Sequence, residues 1–336
     1  MSNVSLHRAK KGLQLAGITA VAALLAGTTS ARAIEIAICA APGTGGVEEA
    51  VLDRFADYLD EAMPGTFEVN KFMGGILGPE DECTEQLQEG EIQIQYAGVR
   101  QIELFLGVGT WPFNIPFLLD DRTEAQRILD EEFVDAINEG LVEHGLEIVG
   151  TAMRTPRKLS ARRAITHPDD VRGLSLRLPE VSEWVVAWRD GLGANTVALP
   201  GSEVFSAMQT GLIEAQENPV SFYYTQRLFE VNDYVMNTDH VLSPRVMYVS
   251  LAWLDRLDDD QREVVMDAGA KAMRDQFDME TEWEGPLMEE LEAAGVTFVD
   301  VDRGPWRERV FEAVRTELRG NYSDEVWERF IEPRLN

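Results

Sequence analysis

Histidine and cysteine are scarce in this chain, with four and two among 336 residues. His7, His144, His167 and His240 are too scattered to propose a shared transition-metal site, and Cys39 and Cys83 form no C-x-x-C pair. No metal and no cofactor are therefore expected. The patterns of common catalytic sites are missing as well: no G-x-S-x-G elbow, no H-E-x-x-H, and no phosphate loop, since Gly43-Thr44-Gly45-Gly46 lacks the Lys and the Ser/Thr that such a loop needs. The expectation is a protein that is not an enzyme and has no catalytic residues. Basic residues are half as numerous as acidic ones, 30 against 59, for a formal charge of -29. So negative a chain is repelled by nucleic acid, which excludes that partner.

Long apolar runs are also lacking, apart from residues 12–27. That run is shorter than the roughly 20 residues needed to span a bilayer. Arg8, Lys10 and Lys11 precede it and Ala31-Arg32-Ala33 follows it, which together read as a secretory signal peptide over residues 1–33. The expectation is a periplasmic protein, not itself membrane-spanning, that begins at Ile34. Removing the leader takes away four bases and no acid, leaving 26 against 59 and a formal charge of -33. Export exposes the chain to oxidising conditions, so Cys39 and Cys83 could pair as a disulfide or stay as two buried thiols; the sequence leaves both open.

The remaining length exceeds one comfortable hydrophobic core, and strand and helix patterns alternate along it. Residues 34–39 alternate as a strand, 48–62 carry a helical stripe, and 67–72 are extended again. A helix over 80–89, a strand over 92–96, a helix over 122–144 and a strand over 146–151 complete one doubly wound α/β domain. A second starts near Thr155, with strands at 158–161, 174–178 and 196–199 and helices at 179–191 and 202–211, the latter capped by Ser202. A strand around Val246, Tyr248 and Ser250 returns to the first. A helix follows over 258–284, where Gly285-Pro286 interrupts it, and then a last strand over 296–301.

Against the acidic background, Arg157 and Arg177 stand out. A guanidinium matches a carboxylate in bidentate fashion and keeps its charge at physiological pH. Leu174, Leu176 and Leu178 alternate as the buried face of a strand, which puts Arg177 on the other face. Asn218, in Gln216-Glu217-Asn218-Pro219, brings an amide that can donate to a carboxylate or a hydroxyl. Glu217 is better placed as the partner of an arginine than facing an anion. Trp184, Phe205, Phe222 and Tyr223 are candidate walls, and Gln209, Glu214 and Gln216 are polar groups suited to a hydroxylated ligand.

The order of these elements carries a resemblance. Arg157, then Pro168, Asp170, Gly173, Arg177 and Pro179, then residues 192–195, then Pro200, Glu203, Ala207 and Gly211, then residues 216–218 follow one another as in the substrate-binding proteins of tripartite ATP-independent periplasmic (TRAP) transporters, the DctP-like family. Residues 72–78, 90–94 and 111–117 resemble further motifs of that family. The resemblance implies a periplasmic binding protein type II-like fold: two doubly wound α/β domains, a ligand cleft between them and long C-terminal helices spanning both. Domain I would comprise 34–154 and 245–283, and domain II 155–244 and 284–336. It further implies a receptor that captures a small organic carboxylate, a sugar acid or hydroxy acid, and delivers it to the small and large membrane subunits of an ion-gradient-driven TRAP permease. Arg177 and Arg157 would clamp the carboxylate and Asn218 orient it, with Trp184, Phe205, Gln216 and Phe222 around them. Gly201 departs from the bulkier residue frequent there and enlarges the pocket. The alternatives are the receptor of an ATP-driven (ABC-type) amino-acid importer and a periplasmic enzyme acting on acidic metabolites.

Overall fold

Alternating apolar residues become strands throughout the computed structural model, which describes residues 32–107 and 112–335. The expected leader, except for Arg32 and Ala33, and Trp111 of the motif at 111–117 lie outside the described residues. Strands β1 (Ile34–Ala40), β2 (Phe67–Phe72), β3 (Ile94–Ala97) and β4 (Leu146–Met153) come first. They are followed by β5 (Lys158–Ala161), β6 (Ser175–Leu178), β7 (Asn195–Ala198), β8 (Ala215–Asn218) and β9 (Tyr234–Asn237), and then by β10 (Pro244–Ser250) and β11 (Thr297–Asp300). They form two sheets, in the orders β2-β1-β3-β10-β4 and β11-β9-β5-β8-β6-β7.

The fold is mixed α/β, as expected, and β10 does return to the first sheet. Its Val246 pairs with Ala97 on one side and Thr151 on the other. The return reverses its direction, so β10 runs antiparallel to β3 and β4, and β5 likewise runs antiparallel to β8 and β9. The remaining pairs, β1 with β2 and β3, β6 with β7 and β8, and β9 with β11, are parallel.

The helix Val47–Ala62 buries Val51, Leu52 and Phe55 in the same cluster as Ile36 and Ile38 of β1. The long helix Asp259–Ala293 starts on a reciprocal cap between Asp258 and Gln261. Its first half packs Val265, Ala268 and Met273 into that cluster. A Cβ at Gly269 would collide with the Val149 side chain, so the helix lies directly on β4 because this position is bare.

Three expectations need correcting. Pro286 does not end the long helix: Leu287 and Leu291 bury themselves with Val204, Met208 and Val220 over the second sheet, and this packing outweighs the lost hydrogen bond. Ser202 does not cap a helix, because a 3-10 turn over Gly201–Glu203 precedes Val204–Thr210 and the capping position is Glu203. The helix expected over 122–144 is interrupted by a wider π turn at Leu129–Phe133, and the one expected over 179–191 begins at Ser182 and finishes as a π turn over Val186–Gly191.

Cys39 and Cys83 form a disulfide. It ties the end of β1 to the first turns of the helix Glu80–Glu89.

Candidate functional site

The ends of six strands converge on one cavity of about 80 Å³. Ala41 follows β1, Gly98, Val99 and Arg100 follow β3, and Arg154 follows β4; from the second sheet come Pro179 after β6, Gly201 after β7 and Asn218 at the end of β8. This is the crevice outside the carboxyl ends of strands where open α/β sheets bind ligands. The antiparallel strands present their amino ends there, which brings in Arg157 just before β5, and Ser243, Pro244 and Arg245 at the start of β10.

Five arginines line this cavity in a strongly acidic protein: Arg100, Arg154, Arg157, Arg177 and Arg245. Arg177 is buried, and its Nε and Nη2 both donate to the Leu199 carbonyl, at 2.9 and 2.5 Å. That grip fixes the side chain and leaves the Nη1 edge for the cavity. Burial pushes its pKa down to about 10, so the charge persists at neutral pH while the site disfavours it. An incoming anion relieves that cost.

Arg157 is held by a different device. Its Nε donates to Glu217 Oε2 at 2.5 Å, and its Nη2 to Glu217 Oε1 and to the Glu217 carbonyl at 2.7 Å each. The guanidinium lies 4.4 Å from the centre of the Trp184 ring. Burial alone would raise the Glu217 pKa, but Arg157 and the hydrogen bonds from Arg157 and His240 hold it at about 2. His240 Nε2 donates to Glu217 at 3.0 Å and Nδ1 accepts from Thr238 Oγ1 at 2.9 Å. Burial lowers the histidine's pKa, and an ionised carboxylate only accepts, which fixes this neutral tautomer. Glu217 is thus an arginine's partner.

Asn218 donates to Gln216 Oε1 at 2.7 Å, and Gln216 donates to Ser160 at 2.6 Å. Both ends of the Gln216 amide are therefore occupied, and Gln216 is fully buried and outside the cavity lining; it positions Asn218. Phe205 also lies away from the lining, half-buried against the cluster of Val204 and Met208, because the short helix Val204–Thr210 buries Val204, Ala207 and Met208 instead. Tyr223 donates its hydroxyl to the Asn232 carbonyl, Gln209 is exposed, and Glu214 accepts from the Ser175 amide. Trp184 and Phe222 do line the cavity, and so does Gly201, where a Cβ would stand 3.4 Å from the Phe222 ring.

Sequence reasoning named none of Arg100, Arg154, Arg245, Ser243 and Glu80 as site residues, although all five line the cavity. The signal for Arg245 is its place beside Pro244, a charge at the head of an otherwise apolar strand. Arg100 donates to both Asp81 oxygens, at 3.1 and 2.8 Å, and to the Glu180 carbonyl at 3.0 Å. It thereby joins the helix Glu80–Glu89 to the segment after β6.

Behind Arg154 lies a buried acid pair. Glu280 accepts from Thr155 at 3.4 Å and from Gln276 at 3.3 Å, and Glu48 has one oxygen without a partner. Burial, with Glu48 adding to it, pushes the Glu280 pKa up to about 7. A raised carboxyl pKa favours folding below its ordinary value of 4.5, and that contribution is lost as pH rises through about 7. Glu217 has the opposite sign: its contribution is present above 4.5 and lost as pH falls towards about 2. Glu280→Gln is therefore expected to stabilise the protein at pH 8 by on the order of 2 kcal/mol and to do little at pH 5, as read by urea midpoints. An equal effect at both pH values would contradict the assignment.

The chain matches the bacterial extracellular solute-binding protein family 7, DctP, over residues 40–319. It belongs to the DctP family. A solute-binding protein of Verminephrobacter eiseniae is 30% identical over 74% of each chain. A 2,3-diketo-L-gulonate-binding periplasmic protein of Escherichia coli is 25% identical over 78% of this chain and 80% of its own. Among solved structures, a TRAP periplasmic solute-binding protein of Roseobacter denitrificans with bound L-galactonate superposes with a TM-score of 0.82 at 24% identity, covering 91% of this chain and all of its own. DctP proteins are solute-binding receptors, and their fold is the one described above.

Proposed function

We propose that this DctP-family receptor is exported by its N-terminal leader and captures a small organic carboxylate of the sugar-acid or hydroxy-acid class in the arginine-lined cavity. It then delivers the acid to the small and large membrane subunits of an ion-gradient-driven TRAP permease. The observation that carries this is Arg177: buried, locked on the Leu199 carbonyl and lining a cavity shared with Arg157 and Asn218. The E. coli relative is named for one sugar acid and the Roseobacter structure holds another, which supports the ligand class. Residues 34–154 with 245–283, and 155–244 with 284–336, act as two jaws that close on the ligand. The protein performs no chemistry on what it binds.

A thermal-shift screen of organic acids tests this. A ligand at 100 times its Kd raises stability by about 2.7 kcal/mol, and sugar or hydroxy acids are expected to do so. Stabilisation by amino acids alone would favour a receptor of an ABC-type importer, and recovery of an altered ligand would indicate an enzyme.

A further inference from the structure

Arg154 and Arg245 sit at the ends of neighbouring strands, since Arg245 pairs with Ala152 in the register of β10 against β4. They are 3% and 5% exposed, and both line the cavity. The other two arginines of the cavity with acid partners are well matched, Arg157 to Glu217 and Arg100 to Asp81 and Glu180. Arg154 and Arg245 are not. Arg154 spends Nε and Nη2 on the carbonyl and hydroxyl of Ser243, at 3.2 and 2.8 Å, and its buried Nη1 has no acceptor. The Glu80 carboxylate stays 3.7 Å from Arg245 Nη1, and the buried Nε of Arg245 has no acceptor.

The acids behind Arg154 do not make up the difference. Glu280 is driven towards its neutral form by burial and by Glu48, and burial together with Arg245 and Arg157 lowers the pKa of Arg154 to about 9. Arg157 is the charged neighbour common to Arg154 and Arg177, and all three line the same electropositive cavity. A buried guanidinium with an unused donor is the environment that a carboxylate satisfies best, and two such donors match its two oxygens.

We propose that Arg154 and Arg245 form a second anion subsite and that the ligand is a hydroxylated diacid, with one carboxylate at Arg177 and the other between Arg154 and Arg245. This rests on reading the cavity as a carboxylate receptor. Asn218 and Ser243 also line the cavity and carry groups that can meet ligand hydroxyls. A sugar monoacid would leave its neutral terminus against the Arg154 and Arg245 donors, so its affinity falls below that of the diacid with the same skeleton.

Calorimetric titration of the folded protein with matched pairs tests the subsite: tartrate against threonate, glucarate against gluconate, and galactarate against galactonate. At least one diacid is expected to bind about tenfold or more tightly than its monoacid. Arg154→Gln and Arg245→Gln should each bring that ratio to near unity. Monoacids binding as tightly as every matched diacid would overturn the subsite and leave the carboxylate receptor standing. A diacid preference that survives both substitutions would overturn the assignment to these arginines. Binding of neither kind of acid would overturn both readings.

Discussion

Arg177→Ala is expected to weaken binding of the cognate acid by about 2 to 5 kcal/mol, roughly thirtyfold to several thousandfold in Kd. The side chain is buried and charged, and two of its three nitrogens are already spent on the Leu199 carbonyl. Its geometry is thus set before any ligand arrives, and little ordering cost is left to pay on binding. The same substitution removes a buried charge that the fold disfavours, as its lowered pKa of about 10 reflects. Stability of the unliganded protein should therefore change far less than affinity. Calorimetric titration and urea unfolding of the same variant check both halves, and a variant that unfolds more readily but binds normally would contradict the role.

Glu217→Ala should have the opposite profile, a loss of stability of about 3 to 5 kcal/mol, because removing one member of a buried ion pair strands the other. Glu217 is fully buried and receives Arg157 through two side-chain bonds and His240 through a third. Without it Arg157 keeps only the bond from Nη2 to the backbone carbonyl and its place over Trp184. Affinity should fall as well, since a guanidinium no longer clamped from behind is poorly placed in the cavity. Urea unfolding measures the first effect, and a loss below about 1 kcal/mol would show that the pair is not the support proposed.

The route from residues to fold was legible where periodicity and spacing were strong. The leucine alternation placed Arg177 on β6, and Val246, Tyr248 and Ser250 marked β10 as a strand, although nothing in a two-residue period reveals that β10 and β5 run antiparallel. Turn chemistry misled at Pro286 and Ser202, where tertiary packing of Leu287 and Leu291 and a 3-10 turn overrode local signals. The site was legible only in part. Arg157, Arg177, Asn218, Trp184 and Phe222 come together at the cavity, whereas the packing of Phe205 against the cluster of Val204 and Met208 and the pairing of Gln216 with Ser160 depend on contacts between distant segments. Arg100, Arg154 and Arg245 gave little local signal, because what makes them notable is convergence: they reach one cavity from three separate strand ends.

The most direct test of the central claim is a crystal structure of the protein with its bound acid. The account expects a ligand carboxylate within hydrogen-bond distance of Arg177, with Arg157 and Asn218 beside it and the ligand enclosed between the two sheets. A ligand seated outside this cavity, or a neutral group facing Arg177, would contradict it.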